Sequence, residues 1–209
     1  MKLSREDKIG ILLGIFIAAL IAANLLGTKI TVLFGISVSV GIFAYPITFL
    51  VTDIVEEVEG KKKIKKFVYA GFVALILVMI LTLVSVVLPA ASRYDYNDEY
   101  KIVFSNSIRI MVASLVAFLI SQFHDLWAFN FWKEKTKGKF LWLRNNASTI
   151  ASQFIDTIIF MYIAFYQMTP KFTAGYVFSL AMPYWFLKIF MALCDTPFCY
   201  LGVRWLKNK

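Results

Sequence analysis

The side chains able to do chemistry stand inside apolar runs, where a charge near the bilayer centre costs about 2.5–3.5 kcal/mol and needs a reason. One run carries Ser121, Gln122, His124 and Asp125, and another carries Ser152, Gln153, Asp156 and Thr157. A later one holds Lys188 and Asp195, an early one ends in Asp53, Glu56 and Glu57, and the first contributes Asn24, Thr28 and Lys29. Hydrocarbon rejects such groups, so they are expected to face a bundle interior. There they form a polar pocket that binds a solute or passes a proton, or they pair simply to hold helices together. Lys188 poses that choice most sharply: an ion pair with Asp156 or Asp195 would be helix glue.

Within Ser121–Asp125 and Ser152–Asp156 the order Ser-Gln-Phe-x-Asp recurs, with Gln and Asp three apart on one helix face. Five residues do not establish a duplication, and nothing else repeats. Tyr184, Lys188 and Asp195 share a face of their segment. Asp53 and Glu57 are a like-charged pair one turn apart at a helix C-terminus, which lysines 61–66 could offset if the end is a solvated cap. His124 is the only histidine and no Cys/His cluster has zinc-like spacing, so no metal and no cofactor are expected. Neither a phosphate-binding loop nor a nucleophile-elbow motif occurs.

The elements that must position these groups follow from composition. Of 209 residues, 60% are hydrophobic and 17% charged, with mean hydropathy +0.72. A bilayer core about 30 Å thick needs roughly 20 helical residues, and several segments reach that length. The reading is an all-α polytopic membrane protein, one membrane-embedded domain over residues 1–209, with six transmembrane helices. The spans are Ile9–Leu26, a second ending near Val58, Phe67–Leu88, Asn106–Phe131, Asn146–Met168 and Tyr176–Trp205. Thr31–Val40 alternates apolar and polar residues and reads as an extended or re-entrant entry to the second span. Pro46 should kink or break that span.

The net charge of +9 is distributed as the positive-inside rule requires, and this argues against nucleic acid. The termini and the second and fourth loops hold sixteen of the 22 Lys and Arg residues, which places both termini in the cytoplasm. Cys194 and Cys199, five apart, point to different helix faces and are not expected to bridge.

Several of these residues together resemble the queuosine precursor transporter family, also known as the vitamin uptake transporter family. The resemblance rests on Asn24 with Lys29 and on Phe49-Leu-Val-Thr-Asp-Ile-Val-Glu-Glu-Val-Glu-Gly60 before the lysine run. It continues through Gln122-x-x-Asp125, Leu141-Trp-Leu-Arg-Asn-Asn-Ala-Ser-Thr149, Gln153-x-x-Asp156-Thr157, and Lys188 with Asp195-Thr196-Pro197. Glu59 stands where an aromatic is expected and Asp195 where relatives often carry Glu.

The resemblance implies uptake of 7-deazaguanine bases, precursors of queuosine or archaeosine, across the cell membrane. A guanine-like edge offers adjacent N–H donors that one carboxylate can accept side by side. Asp156 is first choice for that role, with Gln153 on the carbonyl side. Asn24, Gln122, Asp125, Asp53, Glu57 and Asp195 are further substrate-binding candidates. Lys29 and Lys188 would balance carboxylates or touch the solute, and Phe160, Tyr162 or Tyr184 could stack on the base or merely pack. The expected partners are the base and the lipid bilayer, and a homodimer stays open.

Two alternatives come from other classes. A substrate-binding membrane subunit of an energy-coupled vitamin-type uptake system would fit the chain's small size. An intramembrane hydrolase using Asp125 and Asp156 lacks any supporting catalytic motif.

Overall fold

The structure is a computed structural model describing residues 3–33, 35–136, 141–194 and 196–207; within these, the side chains of residues 36, 56, 61, 122, 125, 126, 129, 130, 133, 141–149, 191–194 and 196 are outside the description. It is all-α apart from one hairpin. In order come α1 (Arg5–Leu26), β1 (Ile30–Leu33), β2 (Ile36–Ser39), a 3-10 turn (Val40–Phe43), α2 (Tyr45–Glu59), α3 (Lys61–Val87), α4 (Asn97–Lys135), α5 (Leu141–Phe165), α6 (Ala174–Cys194) and α7 (Thr196–Lys207). Among the described residues, Arg5–Leu26, Lys62–Val87 and Asn97–Ser121 are long and apolar enough to cross a membrane. The chain divides into two compact units, Met1–Met111 with Leu187–Lys209, and Val112–Phe186.

In the first unit, α1 starts where Ser4 and Asp7 cap each other. The Asp7 amide donates to Ser4 Oγ at 3.2 Å, and the Ser4 amide donates to Asp7 Oδ2 at 2.9 Å. The stretch expected to be extended is an antiparallel hairpin pairing Ile30 with Ser39 and Leu33 with Ile36. Gly35, at φ +80°, supplies the left-handed backbone its two-residue turn needs. Ser39 Oγ donates to the Gly27 carbonyl at 2.7 Å and accepts from the Gly41 amide at 3.2 Å, pinning the hairpin to the end of α1. At Gly41 the approach is so close that a Cβ would lie 2.8 Å from the Ala23 carbonyl oxygen.

Pro46 falls in the first turn of α2, where its missing N–H leaves no helical bond unmade. At 15 residues, α2 is roughly 22 Å long, well under a full span. Val51, Ile54 and Val55 of α2 are buried with Ile9, Leu12 and Phe16 of α1, Phe67 of α3 and Leu206 of α7. Tyr69, Val73, Leu77 and Leu81 lie exposed at four-residue spacing on α3, the apolar face expected of a helix wetted by lipid.

Two cations at the start of α1 hold the last turns of other helices. Arg5 donates Nε to Glu59 Oε1 at 2.6 Å and Nη2 to the Val58 carbonyl at 3.3 Å, at the end of α2. Buried Lys8 donates Nζ to the Trp205 carbonyl at 2.8 Å, with Nζ 5.3 Å from the Trp205 ring centroid. Both bring positive charge to the negative end of a helix dipole.

Three expected boundaries move. The fourth helix starts at Asn97 rather than Asn106, because Asp98 and Glu99 in its first turn suit the positive end of the dipole. The fifth starts at Leu141 and ends at Phe165. The expected sixth span is described as α6 and α7, on either side of Asp195. Asp195 lies outside the described residues. Pro183, inside α6, removes the amide that would bond the Ser179 carbonyl.

Gly41→Ala should lower the melting temperature in detergent by several degrees, because overpacking of this kind costs about 1–3 kcal/mol. Gly14→Ala, where an added Cβ meets nothing within 4 Å, should leave it unchanged. Lys8→Met keeps the apolar stem and loses the charged donor, so it too should melt several degrees lower, by about 1.5–3 kcal/mol for a charge-assisted bond.

Candidate functional site

In the second unit, α4 and α5 are joined by two polar rungs. Ser121 Oγ donates to Asp156 Oδ1 at 3.4 Å and to the Phe118 carbonyl at 3.1 Å. His124 Nδ1 lies 2.9 Å from Ser152 Oγ, and the imidazole tautomer decides which donates. Ser121 and His124 are about one turn apart on α4, as Ser152 and Asp156 are on α5, so antiparallel helices bring both pairs into register. Ser121 and Ser152 are buried, and Asp156 is half-buried.

Gln153 lies three residues from Asp156. Its carboxamide Oε1 is buried with no hydrogen-bond partner among the described residues, as is the indole Nε1 of Trp185 on α6. Phe154, next to Gln153, meets the Trp185 ring edge-on with centroids 5.3 Å apart at 74°, so α5 and α6 touch at this level. Thr157, fully buried, returns its hydroxyl to the Gln153 carbonyl at 2.8 Å. Buried polar atoms in native proteins are nearly always paired, so these two, an acceptor and a donor, are the exceptions that make this unit the candidate site.

The remaining candidates are placed as follows. Tyr184 is buried on α6. Tyr162 donates its hydroxyl to the Ala174 carbonyl at 3.1 Å, tying α5 to the start of α6, and Phe160 meets Phe165 edge-on at 6.2 Å. In the first unit, buried Asn24 donates Nδ2 to the Leu20 carbonyl at 2.8 Å. Lys29 is exposed where the chain enters β1, and its carbonyl accepts from the Val40 amide at 2.9 Å. Asp53 and Glu57 are exposed on α2. Lys188 Nζ lies 4.8 Å from the Tyr45 ring centroid, a cation–π contact, and Tyr45 packs edge-on against Phe49. The side chains of Gln122, Asp125 and Glu56, and all of Asp195, lie outside the described residues.

The structure thus brings Gln153 and Asp156 together with Ser121, Ser152 and His124. Sequence reasoning did not single out Trp185 or Tyr45, which the structure sets against Phe154 and Lys188. An indole N–H in the middle of an apolar helix was the available signal for Trp185, since such a donor seeks a partner when buried.

Comparison with known proteins supplies the lineage. The family described as "Putative vitamin uptake transporter" matches residues 39–202. A "Probable queuosine precursor transporter" of Bacillus subtilis (strain 168) is 29% identical over 192 residues, covering 91% of this chain and 82% of that protein. One of Haemophilus influenzae with the same description is 26% identical over 153 residues, covering 73% and 63%. A "Queuosine precursor transporter" of Escherichia coli (strain K12) is 22% identical over 159 residues, covering 76% and 69%. No solved structure matches the chain. Since the family match runs from the end of the hairpin into α7 and takes in both polar rungs, this chain belongs to that family of membrane transporters.

Proposed function

We propose that the protein imports 7-deazaguanine bases, precursors of queuosine or archaeosine, across the cell membrane. It does so as a single membrane-embedded domain of six spans with both termini in the cytoplasm. One observation carries the reading: Gln153 Oε1 is buried with no partner among the described residues, three residues from Asp156 on one face of an apolar helix. Two acceptors on that face call for a solute with two N–H donors on one edge, and a 2-amino lactam ring has such an edge. The queuosine-precursor descriptions of the relatives point to the same chemical class. Ser121 and Ser152 fix α4 against α5 and so hold the Asp156 carboxylate in place for the base.

Asp156→Asn replaces an acceptor oxygen with a donor and leaves shape unchanged. Cells lacking their own queuosine precursor importer and carrying the wild-type chain should accumulate labelled 7-deazaguanine bases. The variant should reach the membrane in equal amount and lose at least about tenfold in uptake, the scale of one charge-assisted hydrogen bond. Wild-type transport by Asp156→Asn removes that residue from the site.

Purified protein should gain thermal stability from the base alone. At a hundredfold excess over Kd, binding adds about 2.7 kcal/mol, or roughly 5–10 °C for a chain of this size. Riboflavin and biotin should give no shift. A shift with either instead would move the reading to a vitamin carrier, and co-purification of an ATPase would make the chain the binding subunit of an energy-coupled system.

A further inference from the structure

We infer that Trp185 is a substrate-binding residue, its indole N–H donating to the ring carbonyl of a cyclic lactam whose adjacent N–H is accepted by Gln153. The inference rests on the transport reading above and specifies which side chain reads which edge of the base.

The argument begins with what each orphan can do. An indole Nε1 is a donor only, and a carboxamide oxygen is an acceptor only. Both are buried without partners among the described residues of the second unit. Leaving such atoms unmade costs about 1–3 kcal/mol each, a penalty removed when a ligand supplies the missing partners. The two demands are complementary rather than alike, so their ligand needs a carbonyl and an N–H. A lactam carries both on neighbouring atoms.

Packing keeps the two helices together at this level. The Phe154–Trp185 edge contact joins α5 to α6 one residue along from Gln153, and it fixes the indole plane through van der Waals contact rather than through its nitrogen. Trp185 Nε1 therefore stays available while its ring is held. The sequence reading gave the carbonyl side to Gln153; with its Oε1 the buried atom lacking a partner among the described residues, the inference turns that oxygen to an N–H instead. The donor for the carbonyl is then Trp185, and Gln153 joins Asp156 in accepting N–H groups.

The test uses the full chain in detergent and compares two ligands, 7-deazaguanine and its 6-thio analogue, which keeps the ring N–H but carries a much weaker acceptor. Wild type should prefer the oxo base. Trp185→Phe should bind the oxo base about tenfold more weakly, the effect of one hydrogen bond, and lose the oxo-over-thio preference. Unchanged affinity, or an equal loss for both ligands, overturns the inference by showing a packing role alone. Wild type that binds neither ligand defeats the transport reading itself, a result distinct from any confined to the variant. Should Trp185→Phe fail to fold, ultraviolet resonance Raman on a chain with Trp185 as its sole tryptophan reads the indole N–H directly. Its hydrogen-bond signature should strengthen with the oxo base, and a band that the base leaves unchanged overturns the assignment.

Discussion

Hydrocarbon offers no hydrogen bonds, and many polar groups among the described residues of the apolar helices are arranged around that fact. Several hydroxyls within its helices turn back onto their own backbone. Thr48, Thr52 and Thr82 donate to the carbonyls of Tyr45, Phe49 and Val78, and Ser85 donates to that of Thr82. Ser107 donates both to Val103 within α4 and to Leu25 at the end of α1, so one hydroxyl also fastens two helices. Against this thrift, the orphaned atoms of Gln153 and Trp185 stand out. The same rule that silences the hydroxyls gives those two atoms their meaning.

The constraint also shapes the first unit. Residues 30–43 are not α-helical, and their backbone is satisfied by the hairpin ladder and by Ser39, which bonds to both Gly27 and Gly41. Non-helical backbone at such a place is tolerated where protein covers it, and Val38, Ser39, Gly41 and Ile42 are all buried. Opposite this hairpin along α1, Arg5 and Lys8 supply the donors that the last turns of α2 and α7 lack. One helix thereby secures elements from both ends of the sequence, which explains why α7 packs with α1 and α2 despite lying nearly 200 residues from the N-terminus.

Charge has three distinct uses here. Arg5 and Lys8 cap helices, Lys188 stands over an aromatic face, and Asp156 accepts from a buried serine. For Lys188 the structure shows a cation–π contact with Tyr45. An ammonium over an aromatic face is attracted by the ring quadrupole, which offsets part of its desolvation.

The sequence by itself determined the all-α membrane class, the family, the extended stretch before α2 and the pairing of Gln153 with Asp156 on one face. Each follows from local composition or from periods of two and 3.6 residues, which the chain carries without reference to its fold. Only the tertiary structure decided that Pro46 sits in a first turn, that Tyr162 donates its hydroxyl to Ala174, and that Trp185 Nε1 has no partner among the described residues. Those outcomes depend on which helices meet and at what height. A hydrogen bond is satisfied or not according to neighbours distant in the chain, and no spacing along a single helix records them.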